Sequence, residues 1–69
     1  MALKIAEVGK VKIHAHVDGS TTVSIMRSGR WEPDAWLRWN GDLGGYLAGM
    51  DKDLCDDAIG ALSEAGRIW

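Results

Sequence analysis

Four acidic side chains near the C-terminus are the most distinctive charged group of this sequence. They are Asp53, Asp56, Asp57 and Glu64, in a segment whose apolar residues repeat at helical spacing. At 100° per residue, Asp53, Asp57 and Glu64 fall within an arc of about 40°, on the side away from the apolar stripe. No Lys or Arg follows Asp53 or Asp57 at the i+4 position. The sequence therefore predicts a ridge of unpaired carboxylates, within which Gly60 adds no side chain. Such a ridge could bind a basic surface or mimic nucleic-acid phosphates.

A plain solvated helix face is the ordinary alternative to such a docking ridge. Acidic residues in the first turns of a helix interact favourably with its dipole, which accounts for Asp53 and Asp56. The dipole does not account for Glu64, which lies near the C-terminal end of the segment.

Aromatic and basic side chains alternate between residues 27 and 39, as Arg27, Arg30, Trp31, Trp36, Arg38 and Trp39. Arginines and aromatic rings together bind single-stranded nucleic acid by stacking, and the same residue types dominate protein–protein hot spots. The composition favours a third interpretation, in which the tryptophans form the core. A chain of 69 residues without phenylalanine needs bulky apolar groups there.

Two histidines are placed to share one face of a strand. His14 and His16 flank a single alanine, so both imidazoles point the same way. A zinc site needs four ligands, or three and a water, and Cys55 could be a third only if the helix lay on the histidine face. We expect no metal and no cofactor.

Enzymatic motifs are missing from the sequence. It has neither a phosphate-binding loop nor a nucleophile elbow. A chain of 69 residues can hardly enclose a substrate pocket, which takes roughly 300 Å³ or more. We expect a protein without catalytic activity.

Composition predicts one globular domain spanning residues 1–69. The apolar fraction is 46%, and the net charge is only −2. The single cysteine excludes an intrachain disulfide, and no apolar run is long enough for a signal peptide or a membrane span. These features predict a soluble cytoplasmic protein that does not act at a membrane.

The elements that must position these side chains are strands followed by a helix. Strict alternation predicts a strand over 11–17, and the turn signals at Gly9-Lys10 and Asp18-Gly19 indicate neighbouring strands over 2–8 and 21–27. The apolar stripe predicts a helix over 52–65 capped by Asp51 and Gly66. We expect α+β architecture, with an antiparallel meander of three or four strands packed against one C-terminal α-helix.

Two details of this meander can be predicted further. A three-residue loop at 18–20 would pair Ala15 with Val23 and Ile13 with Ile25, whereas a two-residue loop would turn Val23 and Ile25 towards the histidines. Residues 32–34 read as a turn or as the first turn of a helix. We expect a short fourth strand over 35–39 and then a glycine-rich connection with room for one helical turn. The alternative has three strands and a broken helix over 34–48.

The leading functional hypothesis is a small protein-binding inhibitor. Its acidic helix face would dock on a basic surface of a partner protein, such as one that binds nucleic acid. The small anti-CRISPR proteins of phages are of this general kind, a comparison that rests on size and charge. One alternative is a single-stranded nucleic-acid binder using residues 27–39, against which the net negative charge counts. Another is a homo-oligomer that associates through its tryptophans or a sheet edge.

Overall fold

The protein folds as a four-stranded antiparallel sheet with two helices on one side. The computed structural model describes residues 2–38 and 42–67. The strands are β1 Ala2–Val8, β2 Val11–His16, β3 Thr21–Arg27 and β4 Arg30–Leu37, and the helices are α1 Leu43–Ala48 and α2 Lys52–Glu64. Neighbours in the sheet are also neighbours in sequence, in the order β1-β2-β3-β4. The predicted α+β meander with a C-terminal helix is confirmed, in its four-stranded form.

The core lies between one face of the sheet and α2. Val11, Ile13 and Ala15 alternate along β2 and are buried, because their side chains point to the helix layer. On α2, Ala58, Ala61 and Leu62 are fully buried against them. Small alanines let the helix approach the sheet closely, and Leu62 and Ile13 are the largest fully buried side chains.

The β2–β3 hairpin differs from the predicted register by two residues. Ala15 pairs with Thr21 and Ile13 with Val23, so the three-residue loop is 17–19 and not 18–20. The two faces are unchanged, because a shift of two residues leaves every side chain on the same side. Local polar contacts account for the position of the loop: Asp18 accepts hydrogen bonds from the Ser20 amide (2.8 Å) and hydroxyl (2.6 Å).

The fourth strand is longer than predicted and contains the segment expected to be a turn. A two-residue turn at Ser28 and Gly29, both with positive φ, leads directly into β4 at Arg30. Pro33 is tolerated within β4 because this strand forms an edge of the sheet. A bulge follows it, since Val23 pairs with Ala35 but Ser24 pairs with Pro33, which leaves Asp34 unpaired in the ladder. The alternative with a broken helix over 34–48 is wrong.

The C-terminal helix begins and ends close to its predicted bounds, and a second helix lies in the connection before it. The glycine-rich connection holds the short α1, in which Leu43 is buried. Asp51 is the N-cap residue of α2, although its side chain makes no capping hydrogen bond. At the other end Gly66 adopts positive φ, and the Arg67 amide donates to the Leu62 carbonyl oxygen at 2.9 Å. This Schellman motif satisfies the last carbonyl groups of the helix.

Arg67 also joins the end of α2 to the β2–β3 hairpin. Its Nη2 donates to the carbonyl oxygens of His16 (2.7 Å) and Ser20 (3.1 Å). The two contacts span 51 and 47 residues of sequence, so they fix the helix relative to the sheet. Neither helix in the described part of the chain is long and apolar enough to cross a membrane.

Candidate docking surface

The sheet face opposite the helices carries a row of side chains that runs across all four strands. Strand pairing places Ile5 beside His14, His14 beside Thr22, and Thr22 beside Trp36. The two ends of this row are apolar and exposed, at 57% for Ile5 and 58% for Trp36. A second row, one step along the strands, consists of Glu7, Lys12, Ser24 and Pro33. We call the face formed by these two rows, together with His16, Met26 and Trp31, the open face.

The bulge in β4 brings two tryptophans onto this open face. Trp31 and Trp36 are five residues apart, so in a regular strand they would point to opposite faces. The extra residue, Asp34, turns the two tryptophan side chains to the same face. Strand pairing then places Trp31 beside Met26 and Trp36 beside Thr22, both on the open face. The interpretation of these two tryptophans as core residues is therefore wrong. Trp39, the third tryptophan of this segment, lies outside the described residues.

The open face carries little net charge. Beside its two histidines, the residues that define it include one carboxylate and one ammonium group, Glu7 Oε1 and Lys12 Nζ, which lie 3.9 Å apart. The same Nζ stands 4.5 Å from the centroid of the Trp31 ring, a cation–π contact that reaches across β3. Burial first, then the charges of Lys12 and His16, hold the pKa of His14 below its usual range. His14 is therefore neutral at pH 7.

Arg27 and its strand partner Arg30 do not join the tryptophans on this face. Arg27 alternates with Met26 and reaches the helix side of the sheet, where its Nη2 pairs with Asp34 Oδ1 at 3.1 Å. The Tyr46 hydroxyl donates to Asp34 Oδ2 at 2.5 Å, so the bulged residue joins β3, β4 and α1. Arg30 is exposed at the start of β4, and Arg38 is exposed directly after its end at Leu37. The predicted stacking site with interleaved arginines is thus divided between two faces.

The acidic side chains of α2 lie on its flank and not on its far side. Counted at 100° per residue, Asp53, Asp57 and Glu64 centre about 100° around the helix from the buried stripe. Asp57 is half-buried, and its Oδ2 accepts from the Lys10 amide at 3.4 Å in the β1–β2 turn. A Cβ added at Gly60 would lie 3.5 Å from the Val8 side chain. Gly60 is therefore where the helix meets β1, and not an open part of the ridge.

Three of the four carboxylates still face solvent. Asp53, Asp56 and Glu64 are exposed, and none forms an ion pair within the described residues. A groove of about 780 Å³ beside Asp53 and Asp57 is lined by Lys10, Arg27 and Leu54 among others. Its charges are of both signs. The residues in 2–38 and 42–67 include no group of three or more His, Cys, Asp or Glu placed to hold a metal ion.

Reasoning from the sequence missed Ile5 and Thr22 as parts of a surface. The signal that leads to Ile5 is the two-residue turn at Gly9 and Lys10, because that turn fixes Val8 opposite Val11 and therefore Ile5 opposite His14. Comparison of the chain with protein-family models, with curated proteins and with solved structures gives no match.

Proposed function

We propose that this protein is a non-catalytic protein-binding module that docks through its open face. The observation that carries the proposal is the row from Ile5 to Trp36, which exposes an apolar side chain at each end and places two tryptophans on one surface. Large apolar side chains grouped on one exposed face often mark an interaction site in soluble proteins. Tryptophan is also among the residues that contribute most to protein–protein affinity.

The charge of this face favours a protein over a nucleic acid as its partner. Binding to phosphates depends on surplus positive charge, because released counterions supply most of the affinity. On the open face Lys12 is matched by Glu7, and Arg27 is engaged on the other side of the sheet. An almost neutral face with aromatic side chains matches the core of a protein interface, where charged residues are depleted.

Affinity capture with matched variants tests the proposed docking surface. We expect Trp36→Ser to lose most of the bound partner, because Trp36 is an exposed anchor whose removal leaves the core intact. Ile59→Ser is the control: Ile59 is 43% exposed, but it lies on α2 on the opposite side of the molecule. Equal capture by wild type and Trp36→Ser would contradict the proposal.

A second candidate function is competitive inhibition through the acidic side of α2. It is supported by Asp53, Asp56 and Glu64, which are exposed without an ion-pair partner in the described part of the chain. Such a surface would bind the basic region of a nucleic-acid-binding protein. The same capture assay separates the two functions. Binding that survives Trp36→Ser but is lost on triple reversal of these acids to lysine favours the inhibitor, and the opposite result favours the open face.

A further inference from the structure

We propose that the partner of the open face is a second copy of this chain, bound face to face about a two-fold axis. The axis runs parallel to the strands and passes between β2 and β3. The proposal rests on the proposed docking function and names its partner. Stacked sheets are a common way to bury two apolar sheet faces, at a separation of about 10 Å.

The pattern of the first row is self-complementary about this axis. Rotation by 180° about a strand direction reverses the strand order, so β1 of one protomer lies over β4 of its partner. Trp36 then covers the partner's Ile5, and Ile5 is covered by the partner's Trp36. Both exposed apolar ends, at 57% and 58%, are buried by one symmetric operation.

The charges of the second row are also compatible with this axis. The same rotation sets Lys12 over the partner's Ser24 and Glu7 over the partner's Pro33, so no like charges meet. An axis across the strands, placed between the two rows, would instead set Ile5 over the partner's Glu7 and Trp36 over the partner's Pro33. The axis along the strands is favoured because it alone places the two exposed apolar ends over each other.

The size of the face indicates a reversible dimer. Four strands spaced by about 4.8 Å and some seven residues long cover roughly 400 Å². Stable interfaces bury about 800 Å² per partner, so the association depends on concentration. Dimer formation would also supplement the small core of a 69-residue domain.

Mixing two charge variants tests the contact between copies. We would make Ile5→Asp and Trp36→Lys and follow each alone, and an equimolar mixture, by sedimentation equilibrium beside the wild type. Each single variant should dimerise at least about tenfold more weakly than wild type. The mixture should recover association, because the heterodimer joins the new aspartate to the new lysine and keeps one native Trp36–Ile5 contact.

Every outcome of this experiment is informative. If both variants dimerise weakly alone and their mixture also stays monomeric, the two-fold pairing is overturned. A wild type that is monomeric up to about 1 mM would overturn self-association, while capture that depends on Trp36 would still support a different protein partner. A wild-type dimer that neither variant weakens would overturn the proposed pairing and assign self-association to another surface, and the capture assay would still test the open face. Circular dichroism checks the fold, and Ile5→Thr with Trp36→Thr replaces the charged pair if either variant unfolds.

Discussion

Replacing Leu62 with alanine is expected to lower the free energy of unfolding by about 2–5 kcal/mol. Leu62 has 0% exposure and is one of the largest fully buried side chains, at the centre of the contact between α2 and the sheet. The substitution removes apolar contacts and leaves a cavity, because the surrounding backbone relaxes only partly. A domain of 69 residues has a total stability of roughly 3–10 kcal/mol. The substitution therefore removes a large part of the free energy that stabilises the fold.

Urea denaturation followed by far-UV circular dichroism measures this loss. Ser63→Ala is the matched control, since Ser63 is the next residue on the same helix and is exposed. We expect the control to differ from wild type by less than about 0.5 kcal/mol. A loss below about 1 kcal/mol for Leu62→Ala would mean that α2 does not pack on the sheet as described.

Removal of the Arg67 side chain is expected to cost about 1.5–3 kcal/mol of stability. Its guanidinium donates to two backbone carbonyl oxygens, at 2.7 Å on His16 and 3.1 Å on Ser20. Arg67→Ala leaves the end of α2 without its contact to the β2–β3 hairpin. Bonds that involve a charged donor are stronger than neutral ones, and both acceptors are partly shielded from water.

Hydrogen exchange of the hairpin amides localises this effect. In Arg67→Ala the amides of residues 16–20 should exchange faster relative to those of β3, because the loop loses its tether. Arg30→Ala is the control, since Arg30 is exposed on an edge strand. Unchanged protection of the hairpin, with unchanged stability, would show that the Arg67 contacts are not formed in solution.

Periodicity is why much of this fold can be predicted from sequence. Alternation along 11–17 predicts both β2 and its buried face, and the helical stripe predicts α2 to within one residue at each end. For β2 and β3 the sequence predicts which side chains share a face, but not which residues of the two strands pair. Burial is insensitive to a shift of two residues, while the Asp18–Ser20 contacts that choose the loop are local turn chemistry.

The candidate docking surface is less predictable because it depends on a bulge. Residues 32–34 have turn composition, and nothing in their pattern distinguishes a turn from a bulged edge strand. Without the extra residue at Asp34, Trp36 would point to the core side. The acidic residues of α2 are identifiable from sequence, but their position on the flank is not. That position follows from the close packing of Gly60 on Val8, which is a tertiary contact.

Docking and stability depend on opposite faces of the same sheet. The helix side carries the buried core, whereas Ile5 and Trp36 on the open face are more than half exposed. Substitutions at these two positions should therefore change association without unfolding the domain. This separation makes each of the binding tests above interpretable.

Site-specific photo-crosslinking tests the open face as a docking surface most directly. A photoreactive phenylalanine derivative would replace Trp36 in one sample and Asp56, on the exposed side of α2, in another. We expect a crosslinked product from the Trp36 position, at twice the mass of the chain if the partner is a second copy, and little from the Asp56 position. Crosslinking confined to the Asp56 position would contradict this expectation and would assign docking to the acidic helix.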